Sequence, residues 1–275
     1  MVDPSVRWTM GQLSDAHLVE PGRLAMGEVD TPTCLADAVH ALSALRPPLD
    51  LVVCHGDLTD HGTSAEYELA ATLLGSIGAS VLLLPGNHDD LDGIRALMDG
   101  SVPAPPTFVP AGGERFDGVV EGPVRVIALD TARPPADGGT LGPDQLDWLD
   151  ATLRMGGESP VVIVMHHPPF RTGLAEMDSI GLDPAAAEGL AEVVARHPTV
   201  ERVCAGHVHR ATSRRWAGTV AATVPGVAHS IAYDVQGGAL AWSLEPPAVG
   251  VLTWAPDLGL VAHQVAVGTY PAHPY

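Results

Sequence analysis

Short apolar runs recur along the chain, and each one leads into a polar segment. Five of these runs have the length and the flanking turn residues of buried β-strands: Val6–Leu13, Leu49–Cys54, Val81–Leu84, Val161–Met165 and Val200–Cys204. Side chains that follow the strands of a parallel α/β sheet collect at one edge of that sheet. The pattern therefore predicts that five separate stretches of the chain meet at one pocket.

Helical periodicity fills much of the sequence between these runs. Thr63 and Glu66 have the spacing of a capping box, which predicts the start of a helix with Leu69, Leu73 and Ile77 on one face. Successive β-helix-β units join parallel strands through right-handed crossovers. The first third of the chain is thus predicted to form a parallel sheet with helices packed on it.

The pattern changes towards the C-terminus. Ser101–Gly113 and the segment around Met177-Asp178 are predicted to be loops, and short β-like runs from Arg215 to Tyr275 predict a second, more antiparallel sheet. A length of 275 residues suits one large α/β domain. We therefore predict a single domain over residues 1–275, in which 238–275 is a candidate C-terminal oligomerisation or cap extension.

The charge of the chain argues against several classes of function. The sequence has 33 acidic and 14 basic residues, a formal net charge of −19, and every basic residue is arginine. Schiff-base chemistry and lysine nucleophiles are excluded, because there is no lysine. Long nucleic acid is an unsuitable partner, since binding to the phosphate backbone needs a basic face.

Other features bear on where the protein works. No apolar stretch approaches the roughly 20 residues of a membrane span, and the N-terminus lacks the pattern of a secretory signal. The three cysteines, Cys34, Cys54 and Cys204, are far apart and odd in number, which is typical of reduced thiols. These observations predict a cytoplasmic protein that has no membrane partner.

Histidine, aspartate and asparagine are concentrated just after the predicted strands. Five groups share this position: Asp15-Ala16-His17, Gly56-Asp57, Gly86-Asn87-His88-Asp89, His166-His167 and Gly206-His207-Val208-His209. A spacing of two places both side chains of an extended segment on the same side. Each group alone fits an ordinary turn, but their joint occurrence predicts a metal site. Nitrogen and oxygen ligands of this kind suit Zn, Fe, Mn or Co.

Two more histidines flank Asp57. His55 and His61 fit either hydrogen-bond donors behind the metal site or ordinary loop residues, and the sequence leaves both interpretations open.

These five groups, in this order, resemble the five-block signature of the calcineurin-like metallophosphoesterases. The resemblance covers about residues 10 to 210. It implies an α/β fold in which a two-sheet β-sandwich is flanked by helices, with two divalent ions (Fe, Mn, Zn or Co) bound at the strand ends. By the same resemblance, one ion is held by Asp15, His17, Asp57 and His209, and the other by Asp57, Asn87, His166 and His207. The catalytic residues that it implies are Asn87 and its neighbour His88, which binds no metal.

A closer resemblance is to the branch that contains the class III cyclic-nucleotide phosphodiesterases and the bacterial glycerophosphodiesterase. It rests on Met165–Pro169, on Met177–Ile180, and on Pro225-Gly226 followed by His229. It implies that His229, like His88, binds the substrate. His55 departs from the pattern, because a small residue is more usual there, and the tail after about Gly237 is hard to align.

The chemistry of the residues supports the same expectation. Two divalent ions about 4 Å apart can clamp a phosphate and lower the pKa of a water between them, so that it attacks phosphorus near neutral pH. We predict a metal-dependent hydrolase of small phosphodiesters, either glycerophosphodiesters or cyclic nucleotides, which works as a homo-oligomer. The alternatives are a phosphomonoesterase or protein phosphatase with the same site, and a scaffold without catalytic activity.

Overall fold

The computed structural model describes residues 7–271 and 273. Val6 and Tyr275, which end two of the ranges predicted above, lie outside the described residues.

The described chain alternates strands and helices in its first part and is richer in strands towards its end. The strands are β1 (Trp8–Leu13), β2 (Leu51–Cys54), β3 (Ser80–Leu83), β4 (Phe108–Pro110), β5 (Gly118–Val120), β6 (Arg125–Ala128), β7 (Val161–Val164), β8 (Val200–Ala205), β9 (Thr212–Trp216), β10 (Thr219–Thr223), β11 (Ser230–Ile231), β12 (Trp242–Ser243), β13 (Ala248–Ala255) and β14 (Gly259–Ala266). The helices are α1 (Thr31–Ser43), α2 (Ser64–Leu74), α3 (Leu91–Ala96), α4 (Pro143–Met155), α5 (Ala175–Ser179) and α6 (Pro184–Ala195), and a π-helical turn at Leu97–Ser101 follows α3.

Two large sheets carry the fold. The first has the strand order β14-β13-β1-β2-β3 and the second β4-β5-β6-β7-β8-β10-β9. β1, β2 and β3 are parallel, as are β6, β7, β8 and β10, while β4, β5, β9, β13 and β14 pair antiparallel with their neighbours. The predicted two-sheet α/β fold is therefore confirmed.

The side chains of the second sheet alternate between two cores. Val162 and Val164 of β7 belong to the core that also contains the first sheet, whereas Ile163 packs with Leu149 of α4 and Leu190 of α6. On a strand, successive side chains point to opposite faces. The two sheets therefore pack on each other, and helices cover the outer faces to give four layers.

The predicted capping box begins α2. Thr63 accepts a hydrogen bond from the backbone N–H of Glu66, and the Glu66 carboxylate accepts one from that of Thr63. The predicted face of this helix is confirmed only in part: Leu69 and Leu73 are half-buried against the core, and Ile77 is buried but lies beyond the end of α2. Tyr67, Ala70 and Leu74 are buried together with Glu66. The Glu66 carboxylate also accepts from the backbone N–H of His61, which draws the capped end of the helix inwards.

Three further expectations are corrected. Part of the predicted loop Ser101–Gly113 forms β4, and Met177-Asp178 lies in the short helix α5. The strands after Arg215 are divided among three sheets: β10 pairs with β8 in the second sheet, β13 pairs with β1 in the first, and β11 and β12 form a small antiparallel sheet with each other. The pairing partners of β10 and β13 are distant in sequence, so local patterns carried no information about them.

Residues 248–266 of the candidate C-terminal extension form β13 and β14, and so complete the first sheet. The single-domain division and a role of 238–275 in assembly stay predictions. Of the helices within the described residues, none is long and apolar enough to cross a membrane.

Candidate metal centre

The loops after β1, β2, β3, β7 and β8 meet at one edge of the sandwich, as predicted. Direct backbone hydrogen bonds join them: the N–H of Asp15 donates to the carbonyl of Gly56 at 3.1 Å, and the N–H of Gly206 donates to the carbonyl of His166 at 2.9 Å. The structure thereby brings together all seven residues predicted to bind metal: Asp15, His17, Asp57, Asn87, His166, His207 and His209. We call this set the metal centre.

One half of the metal centre lies between Asp15, His17 and His209, whose potential ligand atoms are close enough to hold one ion. The Nε2 atoms of His17 and His209 are 3.2 Å apart. The Nδ1 of His17 lies 3.0 Å from an Asp60 oxygen, and the Nδ1 of His209 lies 3.3 Å from the carbonyl of His229. Both Nδ1 atoms therefore carry the proton, and two Nε2 lone pairs face each other.

The other half lies around Asp57, Asn87 and His166. The Nε2 of His166 is 3.3 Å from Asp57 Oδ2 and 3.1 Å from Asn87 Oδ1. The His166 Nδ1 donates to the carbonyl of His55 at 2.7 Å, so in the neutral ring Nε2 is again the acceptor. The Nδ1 of His207 is 3.1 Å from the same Asn87 oxygen. Ligand atoms of four residues thus converge here as well.

The donor set fits divalent cations. Acceptor atoms that face each other repel unless a proton or a cation lies between them, and both halves have this arrangement. Within the described residues, Asp15 Oδ2 is a buried oxygen with no hydrogen-bond partner, although Oδ1 of the same carboxylate accepts from the backbone N–H of His207. Asp57 Oδ2 lies 3.7 Å from His17 Nε2 as well as 3.3 Å from His166 Nε2, so it adjoins both halves.

The pKa shifts of the ligand residues also favour positive charge in the metal centre. Burial disfavours the charged form of His166, but the attraction and hydrogen bond of the Asp57 carboxylate, together with Asp15 and the carbonyl of His55, outweigh it and raise the pKa of His166 to about 9. Burial opposes ionisation of Asp57 too, yet His166 holds the pKa of Asp57 well below its usual range. Burial raises the pKa of Asp15 to about 6. Cations at these positions would replace protons.

The backbone is strained where it presents the ligands. Five of the seven residues have a left-handed conformation, with φ between 43° and 68°: Asp15, His17, Asp57, His207 and His209. This conformation is costly for residues other than glycine and clusters at functional sites. Gly86 allows the loops to approach, because a Cβ there would collide with Asp57. The loops are thus built to aim side chains inward.

His88 lies at the mouth of the metal centre. Its side chain is 39% exposed, and its ring stands edge-on to that of His17, with the ring centroids 4.6 Å apart. Its Nδ1 donates to the carbonyl of Asp60 at 3.0 Å, which leaves Nε2 for another partner. His229 is buried beside His17 and His209, with its ring centroid 5.5 Å from that of His17 and 4.4 Å from that of His209.

The structure also shows two supporting roles that the sequence patterns did not predict. Asp60 orients His17 through its carboxylate and His88 through its carbonyl. The buried Asp89 accepts from the backbone N–H groups of Thr59 and Gly86 at 3.0 Å each, and so ties the loop after β2 to the loop after β3. Asp60 lies three residues after the predicted ligand Asp57, and this closeness in sequence is the signal that could have indicated it.

The two flanking histidines have different surroundings. His55 is fully buried between Gln12 and the carbonyl of Met165, and its own carbonyl holds His166. It therefore supports a metal ligand from behind. His61 is 60% exposed in its side chain and contacts Glu66 at 3.1 Å.

Known proteins resemble this chain in sequence and in fold. The family model of the calcineurin-like phosphoesterases matches residues 9–211. A glycerophosphodiester phosphodiesterase, GpdQ, from Enterobacter lignolyticus is 30% identical over 244 residues, which cover 86% of this chain and 84% of that protein. A 3',5'-cyclic adenosine monophosphate phosphodiesterase, CpdA, from Pseudomonas aeruginosa is 30% identical over 206 residues, 74% of this chain and 70% of that protein.

Among solved structures, a dimetal phosphatase from Danio rerio has a similar fold. The TM-score is 0.66 at 17% identity, over 97% of this chain and 100% of that chain. The family model covers well over half of the sequence, and the five groups of ligand residues lie inside the matched region. The chain belongs to the calcineurin-like phosphoesterase family.

Proposed function

We propose that the protein hydrolyses small phosphodiesters with the help of two divalent ions held by the metal centre. The observation that carries the proposal is the position of Asp57, whose carboxylate adjoins both halves of the ligand set. Asp15, His17 and His209 would complete the first site, and Asn87, His166 and His207 the second. Bound there, two ions would supply charge stabilisation for a phosphate group and lower the pKa of a coordinated water.

Two histidines outside the ligand set, His88 and His229, would assist the hydrolysis. His88 presents Nε2 at the mouth of the site, where a protonated imidazole can give a proton to the leaving oxygen, or a hydrogen bond to phosphate. His229 is buried beside His17 and His209, at the place where the second substituent of a diester would lie.

Diesters are the proposed substrates because the charges favour them. Asn87 is neutral, so the second site has only one anionic ligand, the shared Asp57. A monoester dianion brings one more negative charge than a diester, and its phosphate product would bind two ions tightly and leave slowly. The relatives GpdQ and CpdA are named as phosphodiesterases, which supports the same class of substrate.

A matched substrate panel tests the proposal. The protein is chelated and then loaded separately with Fe, Mn, Zn or Co, and hydrolysis of bis(p-nitrophenyl) phosphate is compared with that of p-nitrophenyl phosphate. Glycerophosphodiesters, 3',5'-cyclic and 2',3'-cyclic nucleotides follow. We expect faster turnover of the diester of the matched pair. Equal rates for the pair would favour a phosphomonoesterase, and no hydrolysis with any of the four metals would favour a scaffold.

A further inference from the structure

A separate cavity of about 710 Å³ adjoins the metal centre. Pro168 and Pro169, which follow the metal loop of β7, form part of its wall, as does Val208 between two candidate ligands. None of the seven residues of the metal centre lines it in the described part of the chain. Cavities of roughly 300–1,000 Å³ are typical of small-molecule sites. Its size therefore suits a small organic ligand.

His167 separates this cavity from the metal centre. Thr131 and the carbonyl of Asp137 hold the buried ring at 2.8 and 2.9 Å. The ring centroid lies 4.5 Å from that of His207 on the metal side. Gly139, which lines the cavity, packs so closely on His167 that an added Cβ would collide with the ring. A ligand in the cavity would thus be distinct from a phosphate at the metals.

Three arginines make the wall of the cavity positively charged. Arg133, Arg171 and Arg214 line it, in a chain whose formal net charge is −19. Arg171 pairs with Asp178 at 3.5 Å. Arg133 and Arg214 are exposed and form no salt bridge with any residue in the described ranges. We call it the arginine cavity.

The two carboxylates in the wall already accept hydrogen bonds from backbone N–H groups. Asp178 accepts from the backbone N–H groups of Thr172 and Gly173 at 2.7 and 3.0 Å. Asp183 caps α6 by accepting from the N–H of Ala185 at 2.9 Å. These bonds hold the carboxylates in place and offset part of their charge, so Arg133 and Arg214 remain free to attract an anion.

Apolar side chains form the rest of the wall, among them Phe170, Met177 and Leu182. Guanidinium groups match phosphate oxygens in geometry as well as in charge. We propose that the arginine cavity is a second anion site, which binds a small organic phosphate through Arg133 and Arg214 and packs its carbon body on Phe170 and Met177. The proposal goes beyond the proposed function, because binding here does not require hydrolysis.

Calorimetric titration with adenosine 5′-monophosphate tests the site directly. The full-length protein loaded with Mn²⁺ is compared with the Arg133→Gln/Arg214→Gln variant. The control is Arg215→Gln, which makes the Arg214 substitution at the next residue, on the opposite face of β9 and outside the cavity, and removes one charge where the double variant removes two. We expect a second binding event in the wild type and in the control, weakened about tenfold or more in the double variant, since each lost contact is a charge-assisted hydrogen bond.

Identical stoichiometry and affinity in all three proteins would overturn the proposal, because the probe would then bind at the metal centre alone. Arg133→Lys/Arg214→Lys keeps the charge and should retain part of the affinity, and thermal melts of every variant establish that it is folded. If the wild-type protein binds adenosine 5′-monophosphate in the arginine cavity but hydrolyses no diester, the proposed function is wrong and the proposed anion site still stands.

Kinetics identify the source of the phosphate. If the ligand is a separate effector, adenosine 5′-monophosphate should change kcat for bis(p-nitrophenyl) phosphate in the wild type and not in the double variant. If the phosphate is instead the distal end of a longer substrate, the kcat/KM of the double variant should fall only for diesters that carry a second phosphoryl group. Either result supports the site, provided that the double variant binds adenosine 5′-monophosphate more weakly than the wild type.

Discussion

Asp57 is the residue that both halves of the metal centre share. Its Oδ2 is 3.7 Å from His17 Nε2 and 3.3 Å from His166 Nε2, while its Oδ1 accepts from the backbone N–H of His88 at 2.9 Å. The side chain of Asn87, by contrast, contacts His166 and His207, which both belong to the second half. The two residues should therefore differ in how many ions depend on them.

Metal analysis of two variants tests this difference. Asp57→Ala should lose both ions, and Asn87→Ala should lose mainly one, because only Asp57 adjoins both halves. Elemental analysis after equilibration with a defined metal buffer measures the content per chain. Asp92→Ala, the same change at an exposed site on α3, is the control and should match the wild type. Full metal content in Asp57→Ala would contradict the assignment.

His88 should matter for turnover and not for metal binding. It lies at the mouth of the site, and the carbonyl of Asp60 fixes its ring. We expect His88→Ala to keep both ions and to lose about 10² or more in kcat, the usual scale for a positioned acid or base. A smaller loss with an aryl leaving group than with an alkyl one would identify protonation of the leaving oxygen.

His40→Ala is the control for His88, because His40 is an exposed histidine on α1. Turnover near the wild-type value with both leaving groups would show that His88 has no catalytic role.

At the level of elements, the sequence predicted what is local. The strand ends and the capping box of α2 depend on neighbouring residues, and the structure confirms them. The partner of β13 could not be predicted, because Trp254 pairs with Trp8 at the other end of the chain. The supporting roles of Asp60 and Asp89 also escaped, since they consist of hydrogen bonds between loops that only the fold brings together.

A buried carboxylate joins β5, β6 and α4. Asp117 accepts from the backbone N–H of Asp130 at 2.8 Å and from Gln145 Nε2 at 3.0 Å. Burial nevertheless raises the pKa of Asp117 to about 6. Between about pH 4 and 6 the native protein holds a proton there that the unfolded chain has lost. Raising the pH through this range therefore lowers the free energy of unfolding.

The Asp117→Asn variant should lack this pH dependence. A shift of about two pKa units corresponds to about 3 kcal/mol. We expect the stability of the variant relative to the wild type to increase by roughly this amount between pH 4 and pH 7, as measured by urea unfolding. Asp147→Asn, on the exposed side of α4, should follow the wild type. A constant difference between Asp117→Asn and the wild type would show that Asp117 is ionised throughout.

On the scale of the whole molecule, the metal centre lies at the seam between the two sheets. Asp15, His17, Asp57 and Asn87 follow strands of the first sheet, whereas His166, His207 and His209 follow strands of the second. Each proposed ion would therefore bind residues from both sheets. The predicted cytoplasmic location and homo-oligomeric state also belong to this scale, and both stay predictions.

Bound ions should for this reason stabilise the sandwich as well as act in catalysis. A ligand at 100 times its dissociation constant stabilises the native state by about 2.7 kcal/mol, and 1 kcal/mol corresponds to roughly 2–4 °C in Tm for a chain of about this size. We expect chelation to lower Tm by on the order of 10 °C and metal addition to restore it. In Asp57→Ala, which should bind neither ion, the chelator should have little effect. Elemental analysis establishes that the chelator has removed the ions from the wild-type protein. If its Tm is then the same with and without chelator, the hydrogen bonds between the loops hold the two sheets together without bound ions.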